Sequence, residues 1–210
     1  MNAPRAAFAT VLLLTAATCV HAASSVDLSV KGLITPSACT PSLSSGGVVE
    51  LGKIAARDII PGDITYLPKA GMDLAVNCEA ATLFALAPQD NRPQMFTPWA
   101  FGFALMPSGK PMGGYWLDFV DSLADGVELT RLYSQNNGQT WRVADPLDLI
   151  EPRQLTAFGE WIIGPANVLP IQNLNVSFLV SPFFYPGSSW LPANEEIPVD
   201  GSTTFELRYL

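Results

Sequence analysis

Nucleophilic or metal chemistry in this sequence would have to come from three cysteines, one histidine and the acidic side chains. The histidine is His21, and it lies in an opening segment with the features of an export signal. Asn2–Arg5 carries one positive charge, Ala6–Ala17 is apolar, and Val20-His21-Ala22 fits the small-residue cleavage rule. The apolar run is too short to span a bilayer, and no later run is long and uninterrupted enough. Lipidation at Cys19 is a weaker alternative, because Thr18 stands where a small Gly, Ala or Ser is expected. Cleavage after Ala22 removes Cys19 and His21. No Ser-His-Asp or Cys-His nucleophile can then be assembled, and no histidine-ligated zinc. Cys39 and Cys78 remain as an even pair in an exported chain, which reads as one disulfide rather than two buried thiols. Closing a loop of that length stabilises a fold by about 4 kcal/mol in the chain-entropy model.

The acidic residues do not form a convincing site. Asp118, Asp121 and Asp125-Gly126 miss the spacing of a calcium-binding loop and read as a solvated turn. Glu195-Glu196 lies in a proline-rich stretch and reads as a solvated face, not an acid/base pair. Asn175-Val176-Ser177 matches a glycosylation sequon inside an expected strand and carries no weight. The expectation is a protein without catalytic role, metal or cofactor. Removing Arg5 takes the 11 basic residues to 10 against 19 acidic ones, so the formal charge goes from −8 to −9. Nucleic acid is therefore not an expected partner, since phosphate binding needs clustered Lys and Arg.

The elements that must position these residues are strands. The 210 residues include 18 Pro and 16 Gly, are 49% hydrophobic and only 14% charged. That composition can bury a core, and its scattered prolines favour short strands and turns over helices. Val26, Leu28, Val30, Gly32 and Ile34 share one face of an extended segment running to Cys39, with Asp27, Ser29 and Lys31 opposite. Gly32 leaves a notch where another backbone or side chain can approach closely. Further strands are expected at Val48–Gly52, at Met72, Leu74 and Val76 ending on Cys78, at Leu83–Ala87, and over Tyr115–Val120 and Val127–Tyr133. Asn136-Asn137-Gly138 then turns the chain into Thr140–Val143. Leu155–Ile163 and Ile171–Val180 follow, before a proline-rich connection, Pro182–Pro198. The last residues, Ile197, Val199, Gly201, Thr203, Phe205, Leu207 and Tyr209, share one parity. Only Asp145–Gln154 has helical character. The reading is a signal peptide over 1–22 and one all-β sandwich domain over 23–210.

Three landmarks together resemble the subunits of chaperone–usher fimbriae. They are the alternating segment with Gly32 six residues short of Cys39; Val48-Val49-Glu50-Leu51-Gly52 after that cysteine, with the second cysteine closing a strand in Leu74-Ala75-Val76-Asn77-Cys78; and the terminal Phe205-Glu206-Leu207-Arg208-Tyr209-Leu210. The resemblance covers the two ends of the chain. The middle, roughly 88–198, is longer than in a major pilin, so the chain looks like the larger fimbrial-like subunits. Gly201 also sits nearer the end than the pilin pattern places it. The resemblance implies an immunoglobulin-like (pilin-type) sandwich that is incomplete without a donor strand. The segment at about 24–35 would be that donor for a neighbour, through Val26, Leu28, Val30, Gly32 and Ile34. Phe205, Leu207 and Tyr209 would form the groove and chaperone contact. Pairing by added strand takes affinity from the backbone and specificity from side-chain pockets. The implied partners are a periplasmic chaperone, an outer-membrane usher and other fimbrial subunits, with a host glycan or surface left open. The implied location is the surface of a Gram-negative cell, reached through the periplasm, in a role supporting adhesion.

The competing expectation is a self-contained secreted sandwich that binds carbohydrate or protein. Trp99, Tyr115, Trp116, Trp141, Trp161 and Trp190 are numerous for such a fold. Core packing is their first use, and stacking on sugars the second.

Overall fold

The computed structural model describes residues 29–31, 38–92, 98–145, 149–192 and 195–210. Residues 36–210 form one compact unit. Its strands, in chain order, are β1 (Cys39–Leu43), β2 (Thr65–Tyr66), β3 (Ala70–Thr82), β4 (Phe84–Asp90), β5 (Phe101–Gly102), β6 (Gly113–Ala124) and β7 (Val127–Glu128). They continue with β8 (Thr130–Ser134), β9 (Arg142–Val143), β10 (Leu155–Glu160), β11 (Asn167–Val168), β12 (Ile171–Phe184) and β13 (Thr203–Tyr209). One sheet runs β1-β3-β12-β6-β5, with β2 added to β12 and β7 to β6. The other runs β13-β4-β10-β8-β9, with β11 added to β10. All pairings are antiparallel. The fold is the expected all-β sandwich.

Period-two patterning explains most of it. In β3, Met72, Leu74, Val76 and Cys78 are buried while Asp73, Asn77 and Glu79 are exposed. On β12, Leu174, Val176 and Phe178 face the same core. The second sheet adds Phe84, Leu86 and Phe158. Only Leu83 separates β3 from β4, so the chain passes from one sheet to the other almost without a loop. β4 is covered on both faces. Phe84 and Leu86 point into the main core, while Ala85 and Ala87 pack with Leu155 and Ala157 under Trp141 and Val168.

Cys39 and Cys78 are bonded and are directly opposed partners in the β1–β3 ladder. Several local expectations change. Cys78 does not end its strand; β3 continues to Thr82 because β12 pairs it as far as that residue. Val48–Gly52 is not a strand: among the described residues no strand pairs with it, the Val48 N–H turns back to the Ser45 carbonyl, and Gly52 has positive φ. Asp145–Gln154 contains no helix among its described residues; Leu149 bridges to Asp118 on β6 instead. β12 runs through Pro182, which was expected to open a loop. The Pro182 carbonyl accepts from the Leu67 N–H, so its missing donor falls where the neighbouring ladder changes from β3 to β2. The Asn137-Gly138 turn does form, both residues having positive φ. It sits in a wide loop rather than a two-residue hairpin, because the β8–β9 ladder closes only at Tyr133 and Arg142.

Candidate functional site

β13 is an edge strand, and its parity decides what that edge offers. Its ladder with β4 pairs Thr203 with Asp90 through Tyr209 with Phe84. The flanking bonds Asn91 N–H to Ser202 O and Leu210 N–H to Leu83 O show that the even-numbered residues exchange hydrogen bonds with β4. In an antiparallel ladder the alternate residues point their N–H and C=O the other way. Thr203, Phe205, Leu207 and Tyr209 therefore direct their backbone groups to the outer edge. No strand among the described residues pairs there.

Beside this edge lies a cleft of about 1000 Å³ between the two sheets. One wall is the segment 47–54, on which Val49, Leu51 and Ile54 turn half-buried side chains inward while Glu50 and Lys53 are exposed. The other wall is 195–203 together with Phe205. The floor is core: Met72, Phe103, Leu117, Phe178 and Phe184. The Phe205 and Phe178 rings lie 5.7 Å apart. The cleft is thus a concavity above the sandwich core, whose floor side chains are each no more than 5% exposed, and among the described residues no strand pairs with segment 47–54 or with the outer edge of β13. The rim carries Glu50, Glu195 and Glu196, all exposed, against Lys53. Asp200 is held by Arg92 at 2.8 Å.

Tyr115 anchors one end. Its ring stacks on Phe101 at 5.5 Å, and its hydroxyl is 2.7 Å from that of Thr203. Burial pushes the Tyr115 phenol up to about 12, against the opposing hydrogen bond from Thr203. Gly201 lies against this ring so closely that an added Cβ would come within 2.6 Å of Tyr115 Cε1. That explains a glycine here, at the position where it departs from the pilin pattern.

The residues expected at the site fare differently. Phe205 lines the cleft. Leu207 is half-buried against the core but lies beyond the cleft lining, and so does half-exposed Tyr209. The Tyr209 hydroxyl instead accepts from the Cys39 N–H at 3.1 Å, joining the C-terminal strand to the disulfide. Of the donor residues only Val30 is described; it is exposed and in no strand. Val26, Leu28, Gly32 and Ile34, and the signal over 1–22, lie outside the described residues. The wall 47–54 was legible only as a hydrophobic alternation, with nothing to say that it would stay unpaired.

The remaining candidates are dispersed. Asp118 accepts hydrogen bonds from Lys69 and Ser181. Asp125 accepts from the N–H groups of Gln172 and Asn173, which hold its carboxyl below the usual carboxylate range. Among the described residues no group of three or more His, Cys, Asp or Glu side chains could hold a metal ion. Trp190 is buried against Phe184, and Trp141 covers the small alanine cluster. Trp99 and Trp161 are half-exposed.

A family described as a protein of unknown function (DUF1120) matches residues 28–100, which take in β1 to β4 and one cleft wall but not β13. The chain is similar to the uncharacterized protein YhcF of Escherichia coli (strain K12), 31% identical over 94 residues, 45% of this chain and 35% of that protein. It is also similar to protein GltF of the same organism, 34% identical over 70 residues, 31% of this chain and 28% of that protein. The matches thus span about a third of the length of these curated relatives.

Proposed function

We propose that this chain is a structural or minor subunit of a chaperone–usher surface fimbria, assembled by donor-strand exchange and supporting cell adhesion. The observation that carries the reading is the outer edge of β13, unpaired among the described residues and bordering a cleft between the sheets. An edge strand whose outer backbone groups face no partner is an aggregation hazard unless another strand covers it. A strand laid between β13 and segment 47–54 would meet the outward-facing backbone groups of Thr203, Phe205, Leu207 and Tyr209. Its alternate side chains would fill the cleft. The N-terminal Val26–Ile34 of the next subunit has that alternation, and a periplasmic chaperone would lend an equivalent strand before assembly at the usher. The role is a non-enzymatic one, without cofactor, at the cell surface.

The test is the purified mature chain and its Gly32→Leu variant, each made with and without the chaperone expressed beside it. The wild type should polymerise slowly once released from chaperone. Gly32→Leu should bind chaperone equally well and fail to polymerise, because only the donor is altered. Equal, stable monomers from both proteins without chaperone would sink the proposal. That outcome would favour the self-contained secreted sandwich. Its supporting observation is that β13 is already paired with β4 along its whole length.

A further inference from the structure

On the outer face of the first sheet, away from the cleft, three aromatic rings form a continuous layer. The β2–β12–β6 register places Tyr66 opposite Phe183, and Phe183 opposite Gly114. Gly114 has no side chain, so Trp116 from the adjacent row can lie over Phe183, at 4.0 Å between centroids and 19° between planes. Tyr66 flanks Trp116 at 6.0 Å. Covering Phe183 accounts for Trp116. It does not account for Tyr66, which is 67% exposed although tyrosine carries a large apolar ring.

Polar groups lie next to this layer on the same face. Ser181 is the β12 partner of Trp116, and Asp118 is two residues along β6. The Lys69 ammonium reaches over to Asp118 at 2.8 Å, and Ser181 donates to the same carboxylate oxygen. Lys69 remains 56% exposed at its side chain. The result is an aromatic layer, exposed at Tyr66, bordered by a carboxylate and an ammonium whose charges cancel, with the Ser181 hydroxyl buried beneath and committed to Asp118.

We infer that Tyr66 and Trp116, with Asp118 and Lys69 at their border, form a binding platform for a neutral hexopyranose chain. The apolar C–H face of a pyranose stacks on an aromatic ring, and its equatorial hydroxyls need paired donors and acceptors at the ring edge. This surface supplies both. The balanced ion pair offers no net charge for an acidic sugar, and the acidic chain as a whole, at −8, repels one. The platform is on the sheet face opposite the cleft, so the inference does not depend on the fibre reading.

The experiment is a tryptophan-fluorescence titration of the mature protein with three probes: β-1,4-linked glucose, mannose and galactose hexasaccharides. At least one should bind saturably. Tyr66→Ala should weaken that binding at least tenfold, and Lys69→Met at least threefold. A sialic-acid-containing oligosaccharide should not bind. If no neutral hexasaccharide binds the wild type, or if both variants bind as the wild type does, the inference is wrong. Should Tyr66→Ala melt markedly lower than wild type, Lys69→Met alone decides, since removing an exposed ammonium leaves the aromatic layer intact.

Discussion

Linking a second copy of Val26–Ile34 after Leu210 should convert the chain into a more stable monomer, and the size of the gain follows from the geometry of the cleft. The added strand would present Val26, Leu28, Val30 and Ile34 to the opening between the sheets. Burying four such side chains stabilises by about 8 kcal/mol at about 2 kcal/mol each. Four β13 residues turn an N–H and a C=O outward, so up to eight ladder bonds can form, worth about 8 kcal/mol at about 1 each. Ordering nine residues costs about 13 kcal/mol at about 1.5 each. The difference, about 3 kcal/mol, corresponds to a rise in Tm of about 6–12 °C for a domain of this size. Thermal unfolding and size-exclusion chromatography of the mature chain, with and without the linked copy, measure both effects. The control is a linked copy carrying aspartate in place of Leu28 and Val30 of the added strand, which keeps backbone pairing but sets carboxylates over the apolar floor of the cleft. Linked, control and parent proteins that melt together, all as monomers, would refute the reasoning.

Three other outcomes follow from the packing. Gly201→Ala should destabilise by about 1–3 kcal/mol, because the new Cβ must displace a Tyr115 ring already stacked on Phe101; urea unfolding reads this directly. Replacing Cys39 and Cys78 with serine should cost about 4 kcal/mol, the chain-entropy value for a separation of 39 residues, and should make the denaturation midpoint indifferent to reductant. Tyr115 is raised to about 12 in the fold against 10.0 outside it. The unfolded chain therefore releases this proton first, and stability is lost as pH rises from about 10 towards 12. The loss should approach about 3 kcal/mol at about 1.4 kcal/mol per pH unit. Tyr115→Phe should flatten that part of the stability–pH curve while losing the bond to Thr203; identical curves would refute the assignment.

What the sequence by itself determined here is the local alternation and its chemistry. Met72, Leu74, Val76 and Cys78 could be read as one face of a strand, Phe205 and Leu207 as another, and the cysteine pair as a disulfide. Each of these depends on which side chains share a face, and a period of two settles that within a few residues. Tertiary structure alone decided which backbone lies beside which. Val48–Gly52 has the same alternation as a paired strand, yet it borders an opening instead of joining a sheet. β12 carries Pro182 through a central position because β2 takes over from β3 at that point. Tyr66 and Trp116 are fifty residues apart in the chain and meet only because both flank β12. Pairing between distant strands is set by loop-closure entropy and by competition among many compatible edges. For that reason the edge position of β13 and the aromatic layer are properties of the assembled sandwich, with no signature in any one segment.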